Sequence, residues 1–328
     1  MNVLITGGAG YIGSHTLQAL RAKGHHPLAL DDLSTGYRSS VPADCLIEGD
    51  IADDALVTRV IKDNRIDAVV ACAAKASVPD SVADPGPYFE TNIAKGVRFL
   101  ESLRRSNVKS VVFSSSAAVY GDPENTPISE GDQKWPKSPY GLTKLMFEQI
   151  LEWYGRAYGM RYVCLRYLCA AGAAPELGLG EDHRPERHLI PSVLLSVLGQ
   201  RPHVEIYGTD YPTEDGTAIR DFVHVMDVAD AHISALEHLA GGGESLILNV
   251  GLGKGFSVKE VIQASERVTG RRVPVKLVGR RAGDPAVLVA NPQALIRAFD
   301  WRPRFSQLEE IVATAWEWHR LHPNGFAS

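Results

Sequence analysis

Cysteine is scarce in this chain of 328 residues, and no two cysteines form a Cys-x-x-Cys pair. This scatter excludes a disulfide framework and favours reduced thiols in the cytoplasm. The formal net charge of -5 gives no basic surface for nucleic acid or an anionic membrane. No apolar run reaches the roughly 18 residues that a membrane span needs. The first residues also lack the basic start of a secretory signal, so none is expected.

A metal site is not expected either. His183 and His188 are separated by four residues, but they lie among charged residues and have no cysteine nearby. Zinc sites usually combine such histidines with cysteines or other clustered ligands at regular spacing. We therefore interpret the two histidines as part of a loop or of a substrate cleft.

Short apolar runs alternate with helical patterns in the first half of the chain. Runs of about four apolar residues between turn residues indicate a parallel sheet covered on both faces. A helix is predicted from Ser14 to Lys23, with Gly24 ending it. Strands are predicted at residues 3–5, 28–30, 68–71, 110–113 and 162–166.

Glycine, proline and charged residues dominate from about residue 170 to 190, and a mixture of helices and strands follows. Residues 245–250 are predicted to return to the main sheet, and Leu308 to His319 to form a final amphipathic helix. The predicted fold is α/β, with a doubly wound parallel Rossmann sheet in residues 1–170 that later strands complete. Residues 171–328 are predicted to form mainly a smaller, mixed substrate-binding lobe, interleaved with the first.

A glycine-rich loop follows the first predicted strand and opens a helix. Gly7, Gly8, Gly10 and Gly13 satisfy both Gly-x-Gly-x-x-Gly and Gly-x-x-Gly-x-x-Gly. Such glycines permit a tight turn and let a pyrophosphate approach the free N–H groups of the helix N-terminus. The strand–turn–helix context favours a dinucleotide site over a plain glycine turn.

Acidic residues end the next two predicted strands. Asp31 lies eighteen residues beyond Gly13, where a carboxylate binds the adenosine ribose. The pair Asp31-Asp32 would repel a 2′-phosphate, which favours NAD over NADP. Asp50 and Ile51 are candidates for the adenine edge. The alternative for Asp50 is that it caps the helix predicted from Asp53.

Tyr140 and Lys144 form a Tyr-x-x-x-Lys motif. On a helix, this spacing places both side chains on one face. A free phenol has a pKa of about 10, and a nearby ammonium and a positive nicotinamide ring both favour the phenolate. The strand that ends in Ser116 adds hydroxyls at the carboxyl edge of the sheet. By itself the motif also occurs on ordinary amphipathic surfaces.

Several segments resemble the extended short-chain dehydrogenase/reductase superfamily and, within it, the UDP-glucose 4-epimerase family. The resemblance is carried by residues 6–15, 114–121 and 139–144. It continues through residues 180–183, 188–191, 207–217, 220–225 and 280–285, so that it covers essentially the whole chain.

The resemblance implies a UDP-hexose 4-epimerase that interconverts UDP-glucose and UDP-galactose through a 4-keto sugar and keeps NAD bound. Tyr140 would take the proton of the sugar 4-hydroxyl, Ser116 would hydrogen-bond this hydroxyl, and Lys144 would hold the nicotinamide ribose and lower the pKa of Tyr140. The expected cofactor contacts are Gly7, Gly10, Tyr11, Ile12, Gly13, Asp31, Asp50, Ile51, Cys72, Ala73, Ala74, Asn92, Ser114, Tyr140, Lys144 and Tyr167.

For the substrate, the resemblance implies that Arg220 and Arg281 clamp the diphosphate with their planar donor forks. Asp284 would face the uridine ribose, Tyr207 the uracil and Leu288 the sugar 2-substituent. In plainer interpretations Arg220 pairs with Asp221, Arg281 is solvated, Ser116 only ends a strand, and Leu288 only packs. The expected substrate contacts are Ser116, Tyr140, Cys169, His188, Leu189, Glu205, Tyr207, Arg220, Arg281, Asp284 and Leu288.

Three positions depart from the family pattern. Leu168-Cys169 stands where the family has Phe-Asn, and a thiol replaces the amide that contacts the diphosphate as a weaker donor. Ala76 stands in place of the cofactor-contacting lysine, which is displaced to Lys75. These changes leave open which UDP-sugar is used, including N-acetylated sugars and unusual uronic or unsaturated ones.

The sequence fits two other functions less well. A nucleotide-sugar dehydratase needs an acid–base pair in the segment after Ser116, and Ala117-Ala118 supplies none. A catalytically silent NAD-binding sensor is disfavoured by the intact Tyr140 and Lys144. The resemblance also implies a homodimer built from the helix at 91–105 and the helix that carries Tyr140, through apolar residues such as Val97, Leu100, Leu145 and Ile150.

Overall fold

The computed structural model of the protein describes residues 1–281 and 284–327. Among these residues, no helix is both long and apolar enough to cross a membrane. The strands are β1 (Asn2–Thr6), β2 (His26–Asp31), β3 (Leu46–Glu48), β4 (Ala68–Ala71), β5 (Ser110–Ser116), β6 (Arg161–Tyr167), β7 (Cys169–Ala171), β8 (Val204–Tyr207), β9 (Ile219–Arg220), β10 (Phe222–His224), β11 (Leu246–Val250), β12 (Phe256–Ser257), β13 (Val275–Val278) and β14 (Val287–Leu288).

The helices fill most of the connections between these strands. A π-helix at Glu90–Lys95 joins the fourth helix to the fifth. The α-helices are α1 (Tyr11–Ala22), α2 (Asp54–Asn64), α3 (Val78–Ala83), α4 (Gly86–Phe89), α5 (Gly96–Arg105), α6 (Pro139–Tyr158), α7 (Leu189–Val197), α8 (Val225–Ala240), α9 (Val258–Thr269), α10 (Gln293–Phe299) and α11 (Leu308–Leu321).

Seven parallel strands form the main sheet, in the order β11–β6–β5–β4–β1–β2–β3. The doubly wound Rossmann prediction is therefore confirmed, and the strand at 246–250 does return to this sheet beside β6. The chain order reverses between β1 and β4. In open α/β sheets, ligands bind at the carboxyl ends of the strands beside such a reversal.

Alternating side chains of β1 supply both hydrophobic cores. Val3 and Ile5 are fully buried in the core that contains Leu17 of α1 and Leu236 of α8. Leu4 is fully buried on the opposite face, in the core shared by α2, α5 and α6. Strand side chains point to opposite faces in turn, and each buried aliphatic residue contributes about 1.5–3 kcal/mol. The sheet is thus covered on both faces, and its carboxyl edge has a rigid support.

The smaller lobe combines short strands with the last helices, as predicted. Strands β12, β9 and β14 form a mixed sheet, and β13 pairs with β8. Leu308 and Ile311 of α11 are buried against Val261 of α9 and Leu194 of α7. The two parts interleave, because β7 follows β6 of the main sheet but pairs with β10, which lies later in the sequence.

Candidate active site

The glycine-rich loop between β1 and α1 forms a cradle that side chains would fill. A Cβ atom on Gly7, whose φ is +67°, would lie 2.6 Å from the backbone nitrogen of Ala73. A Cβ atom on Gly13 would lie 2.2 Å from the carbonyl oxygen of Gly7. Gly10 immediately precedes α1, so Tyr11 and Ile12 begin the helix at this loop. The loop therefore suits an anionic group held at the helix N-terminus.

Asp31 lies at the carboxyl end of β2, beside this loop. Its carboxylate accepts hydrogen bonds from the backbone nitrogens of Ala9 and Leu33, both at 2.9 Å. Burial raises the pKa of the carboxyl, and the two N–H donors lower it in part. The carboxylate is thus fixed within reach of the glycine loop, as the prediction of a ribose-binding group requires.

Asp50 does not cap α2. The capping residue is Asp53, whose side chain accepts the N–H of Leu56 at 3.0 Å. Asp50 instead forms an ion pair with Lys95, and this partner and the N–H of Ala52 hold the pKa of its carboxyl below the usual value, against an opposing effect of burial. The candidate contact with adenine stays a prediction.

A cavity at the carboxyl edge of β1, β4 and β5 brings predicted cofactor residues together. Ile51, Ala73, Ala74, Asn92 and Lys144 all line it. These residues come from three separate connections between strands, so only the parallel sheet places them together. The cavity supports the predicted cofactor site.

Asn92 fastens the loop after β4 to the helix that carries Tyr140. Its side chain binds both the N–H and the C=O of Lys75, at 2.9 and 3.1 Å, and donates to Thr143 Oγ1 at 3.0 Å. Asn92 lies in the π-helix between α4 and α5. Such π-helical turns often occur at functional sites, but no periodicity in this sequence predicts one.

Tyr140 and Lys144 lie on the first two turns of α6, which begins after the capping residue Ser138. Lys144 is buried, and its Nζ donates to the carbonyl oxygen of Ser114 at 2.7 Å. The Nζ atom is 5.8 Å from the centre of the Tyr140 ring. Burial lowers the pKa of Lys144 to about 8. The predicted pair therefore meets at the end of β5.

The pKa of Tyr140 is raised above the usual value of a phenol. Burial is the main cause, and the nearby Ser116 hydroxyl only partly offsets it. The Lys144 ammonium is directed toward the carbonyl oxygen of Ser114. Ser116 also ends β5, where its hydroxyl accepts the N–H of Ala118 at 3.1 Å. Ser116 therefore ends the strand, as in the plainer interpretation, and also lies beside Tyr140.

His232 completes the back of the site and was missed by the sequence analysis. Its Nε2 lies 2.7 Å from Ser114 Oγ, which in turn lies 3.1 Å from Cys72 Sγ. Burial lowers the pKa of His232 to about 4, so the ring is neutral. The ring of Tyr167 packs 6.3 Å away, centre to centre. No local pattern signals His232, because it lies 118 residues from Ser114 in the chain.

A buried polar network supports α6 from below and was also missed. Arg166 and Glu148 form a two-pronged ion pair at 2.9 and 2.5 Å, and both side chains are 2% exposed. Ser115 donates to the Glu148 carboxylate at 2.5 Å. Arg166 donates to the Tyr120 hydroxyl at 2.8 Å, and this hydroxyl donates to Asn249 at 2.7 Å. The network ties α6 to β5, β6 and β11, one turn beyond Lys144.

Arg220 pairs with Asp284, and its guanidinium also donates to the carbonyl of Pro285 at 2.8 Å. It does not pair with the adjacent Asp221, whose carboxylate accepts backbone N–H groups from Leu252 and Ala290 at 2.9 and 3.2 Å. The structure thus places the predicted diphosphate and ribose contacts side by side and removes the local-pair interpretation.

Arg281 is exposed, but it does not only face solvent. Its guanidinium lies 3.7 Å from the centre of the Tyr207 ring, whereas Arg280 pairs with Asp210. The Tyr207 hydroxyl donates to Glu205 at 2.5 Å. Three of the predicted substrate residues, Glu205, Tyr207 and Arg281, are therefore in contact.

Cys169 and Leu288 both lie on short strands close to Arg220. Leu288 faces Arg220 in the register of β14 and β9, and it packs on the apolar cluster that contains Ala117 and Leu168. Burial raises the pKa of the Cys169 thiol to about 11, and both Arg220 and His188 are close enough to lower it in part. His188 immediately precedes Leu189, the first residue of α7.

The chain is similar to known proteins in both sequence and structure. Residues 3–251 match the model of the NAD dependent epimerase/dehydratase family. A UDP-glucose 4-epimerase of Halalkalibacterium halodurans is 47% identical over 328 residues, covering 100% of this chain and 98% of the relative. A UDP-glucose 4-epimerase structure from Brucella ovis in complex with NAD has a TM-score of 0.94 at 44% identity, covering 96% of this chain and 97% of the other.

A second solved structure contains both NAD+ and UDP. The UDP-glucose 4-epimerase from Bifidobacterium longum, in complex with NAD+ and UDP, has a TM-score of 0.93 at 34% identity and covers 99% of this chain and 100% of the other. Both the sequence and the structural likeness extend over the whole chain, including the lobe after residue 251. The chain belongs to the NAD dependent epimerase/dehydratase family and, within it, to the UDP-glucose 4-epimerase family.

Proposed function

We propose that this chain is an NAD-dependent UDP-hexose 4-epimerase that interconverts UDP-glucose and UDP-galactose through a 4-keto sugar. The observation that carries the proposal is the meeting of Tyr140, Lys144 and Ser116 at the carboxyl edge of β5, beside the glycine cradle. We further propose a cytoplasmic location, where thiols such as its four free cysteines stay reduced.

The residues that would hold NAD are set out along the carboxyl edge of the sheet. The glycine loop would bind the pyrophosphate, Asp31 the adenosine ribose, and Lys144 the nicotinamide ribose. When bound, NAD would supply the group that accepts the hydride of sugar C4 and gives it back. The buried, neutral His232 contacts the Ser114 side chain near the end of β5. The carbonyl oxygen of Ser114 accepts a hydrogen bond from the Lys144 ammonium.

Tyr140 would move the proton of the sugar 4-hydroxyl. Because burial raises its pKa, the free phenol is protonated at neutral pH and needs a positive charge beside it to act as a base. The positive nicotinamide ring of bound NAD would supply that charge. Ser116 would donate a hydrogen bond to the sugar oxygen, and Tyr140 would return the proton after the 4-keto sugar has presented its other face.

The substrate would bind across the two lobes. Arg220 and Arg281 offer the donor forks that a diphosphate requires. Tyr207 and Asp284 would face the uracil and the uridine ribose. Cys169 replaces the usual amide, and its buried thiol is a weak donor, so more of the diphosphate binding falls to the two arginines.

A panel of UDP-sugars tests the proposed activity. Purified protein is incubated with UDP-glucose, UDP-galactose and a UDP-hexuronic acid, and the products are separated by chromatography. We expect interconversion of the first two. Turnover of the UDP-hexuronic acid alone would show that the substrate is not the one proposed. Reduction of bound nicotinamide without formation of an epimer would contradict the epimerase reaction.

Leu288 is expected to leave room for an N-acetyl group at the sugar C2. Leucine is smaller than the tyrosine expected at this position in family members that exclude such sugars. The Leu288 side chain packs against the apolar cluster that contains Ala117 and Leu168. We therefore predict that the protein also epimerises UDP-N-acetylglucosamine. In Leu288→Tyr, kcat/KM for this sugar should fall by about 10-fold or more, because packed sites yield little to added bulk.

The matched control is Leu288→Met, a change that nearly conserves volume and should preserve both activities. UDP-glucose turnover should change little in Leu288→Tyr. Failure of the unmodified protein to use the N-acetylated sugar, or an equal loss of both sugars in Leu288→Tyr, would mean that Leu288 does not control the pocket.

We also propose that two copies assemble through α5 and α6. Leu100 does not contribute, because it is buried within a single chain. The support comes from Leu142 and Trp153, which are 40% and 65% exposed on α6. Eleven residues make almost a whole number of helical turns, so the two side chains share one face. Trp153→Glu should therefore convert a dimer into a monomer, as measured by light scattering.

Trp135 provides the control, because it is also 65% exposed but lies outside the helices. Trp135→Glu should remain dimeric. A monomeric mass for the unmodified protein at micromolar concentration would contradict the dimer, and dissociation of both variants alike would remove α6 from the interface.

A further inference from the structure

Four side chains able to bind a metal converge in the segment before α7. Glu181, His183, Glu186 and His188 each bring one nitrogen or oxygen atom, and these atoms all lie within 4.8 Å of one another. The carboxylates are buried, with side chains 4% and 5% exposed, whereas the imidazoles reach the surface. Three of these residues have no part in the proposed epimerase reaction.

The distances from His183 to the two carboxylates fit tetrahedral coordination. His183 Nδ1 lies 3.3 Å from Glu181 Oε1 and 3.6 Å from Glu186 Oε2. His188 Nδ1 lies 2.7 Å from Glu181 Oε1 and 3.2 Å from Glu186 Oε1. Zinc bonds of about 2.0–2.2 Å to nitrogen and oxygen give a tetrahedron with edges of roughly 3.3–3.6 Å. The two distances from His183 match these edges. The shortest distance needs a small side-chain rotation, and the 3.2 Å distance runs to the Glu186 oxygen that already accepts backbone N–H groups.

Two atoms of the cluster are buried without a hydrogen-bond partner among the described residues. They are His183 Nδ1 and Glu186 Oε2. The other Glu186 oxygen is already satisfied, because it accepts the N–H groups of Arg187 and His188 at 2.7 and 2.8 Å. A buried carboxylate oxygen that lacks a donor is costly. Its position against an equally unpartnered imidazole nitrogen points to a shared cation.

We propose that Glu181, His183, Glu186 and His188 form a binding site for a divalent transition-metal ion of the Zn²⁺ type. The two carboxylates balance the charge of the ion, and the two imidazoles favour zinc over Mg²⁺ or Ca²⁺, which prefer oxygen ligands throughout. A metal was not predicted here because these histidines have no cysteine near them in the sequence. Buried glutamates supply the anionic ligands instead.

The proposed ion has a structural role. All four coordination positions are filled by protein atoms, as in structural zinc sites. The His183 ring lies 6.4 Å from the Tyr11 ring of α1, and His188 directly precedes α7. The ion therefore cross-links the segment that lies between the glycine loop and the first helix of the smaller lobe.

Competition with a chromophoric chelator tests the site, using tag-free protein and Zn²⁺ alone. We expect one equivalent of Zn²⁺ to bind and to raise the unfolding temperature. The isosteric Glu186→Gln variant and the His183→Ala variant should each lose affinity by roughly 100-fold or more, since even outer-shell partners are worth 10–100-fold. X-ray absorption of the loaded protein should show nitrogen and oxygen ligands and no sulfur at about 2.3 Å.

His26 lies on the surface at the start of β2, so His26→Ala is the matched control and should bind Zn²⁺ normally. The Cys169→Ser variant should also bind normally, although Cys169 lies close to the cluster. Absence of stoichiometric Zn²⁺ binding would overturn the proposal. So would equal binding by all variants, or loss of binding only in Cys169→Ser. Circular dichroism of the metal-free variants separates a lost ligand from a lost fold.

Discussion

Replacing Tyr140 by phenylalanine should lower kcat by at least about 100-fold, the usual effect of losing a general acid–base group. The substitution removes one hydroxyl, beside Ser116 and at the end of β5. No other phenol among the described residues occupies this position. Substrate binding should be largely retained, because the proposed diphosphate contacts come from Arg220 and Arg281. Steady-state kinetics with UDP-glucose and UDP-galactose measures the effect.

Tyr158→Phe is the matched control, since Tyr158 lies on the same helix but is 48% exposed. It should leave kcat unchanged. Thermal unfolding should be similar in both variants, so that a loss of activity in Tyr140→Phe reports chemistry and not folding. Near-normal turnover in Tyr140→Phe would remove Tyr140 from its proposed role.

Replacing Glu148 by alanine should have the largest effect on stability. Glu148 and Arg166 are both almost fully buried, and removal of one partner leaves the other charge unpaired. Such a change usually costs about 3–5 kcal/mol. The Ser115 hydroxyl also loses its acceptor, the Glu148 carboxylate. The Tyr120 hydroxyl is affected indirectly, because it accepts a hydrogen bond from Arg166. Urea unfolding of the purified variant measures the change.

The control lies one turn away on the same helix. Glu152 pairs with Arg156 at 2.5 Å, but these side chains are 48% and 62% exposed. Exposed ion pairs contribute only about 0–1 kcal/mol, so Glu152→Ala should unfold at nearly the same urea concentration as the unmodified protein. Equal destabilisation by the two alanine variants would contradict the special cost assigned to the buried pair.

The fold of the first half could be predicted because its signals are local. Each apolar run of β1, β2, β4, β5 and β6 is bounded by turn residues, and the glycine loop fixes the start of α1. The predicted helix at 14–23 nevertheless begins at Tyr11, because the last glycine of the loop already lies inside the helix. Local patterns do not show how many loop residues a helix takes up.

The site was only partly predictable for a related reason. Tyr140 and Lys144 are four residues apart, so helical geometry alone brings them together. Glu148, Arg166 and His232 act through partners 18 to 118 residues away, and no short pattern reports such contacts. Burial, which a sequence does not display, raises the pKa of Tyr140, whereas the predicted lowering depends on Lys144 and on a bound nicotinamide ring.

Retention of the C4 hydrogen tests the central claim most directly. UDP-glucose deuterated at C4 is incubated in ordinary water with the purified protein, without added nucleotide, and the UDP-galactose formed is analysed by NMR. The proposed mechanism predicts that the product keeps deuterium at C4, because a hydride leaves and returns within one site while Tyr140 exchanges only the hydroxyl proton. Absence of UDP-galactose, or a product with hydrogen at C4, would contradict it.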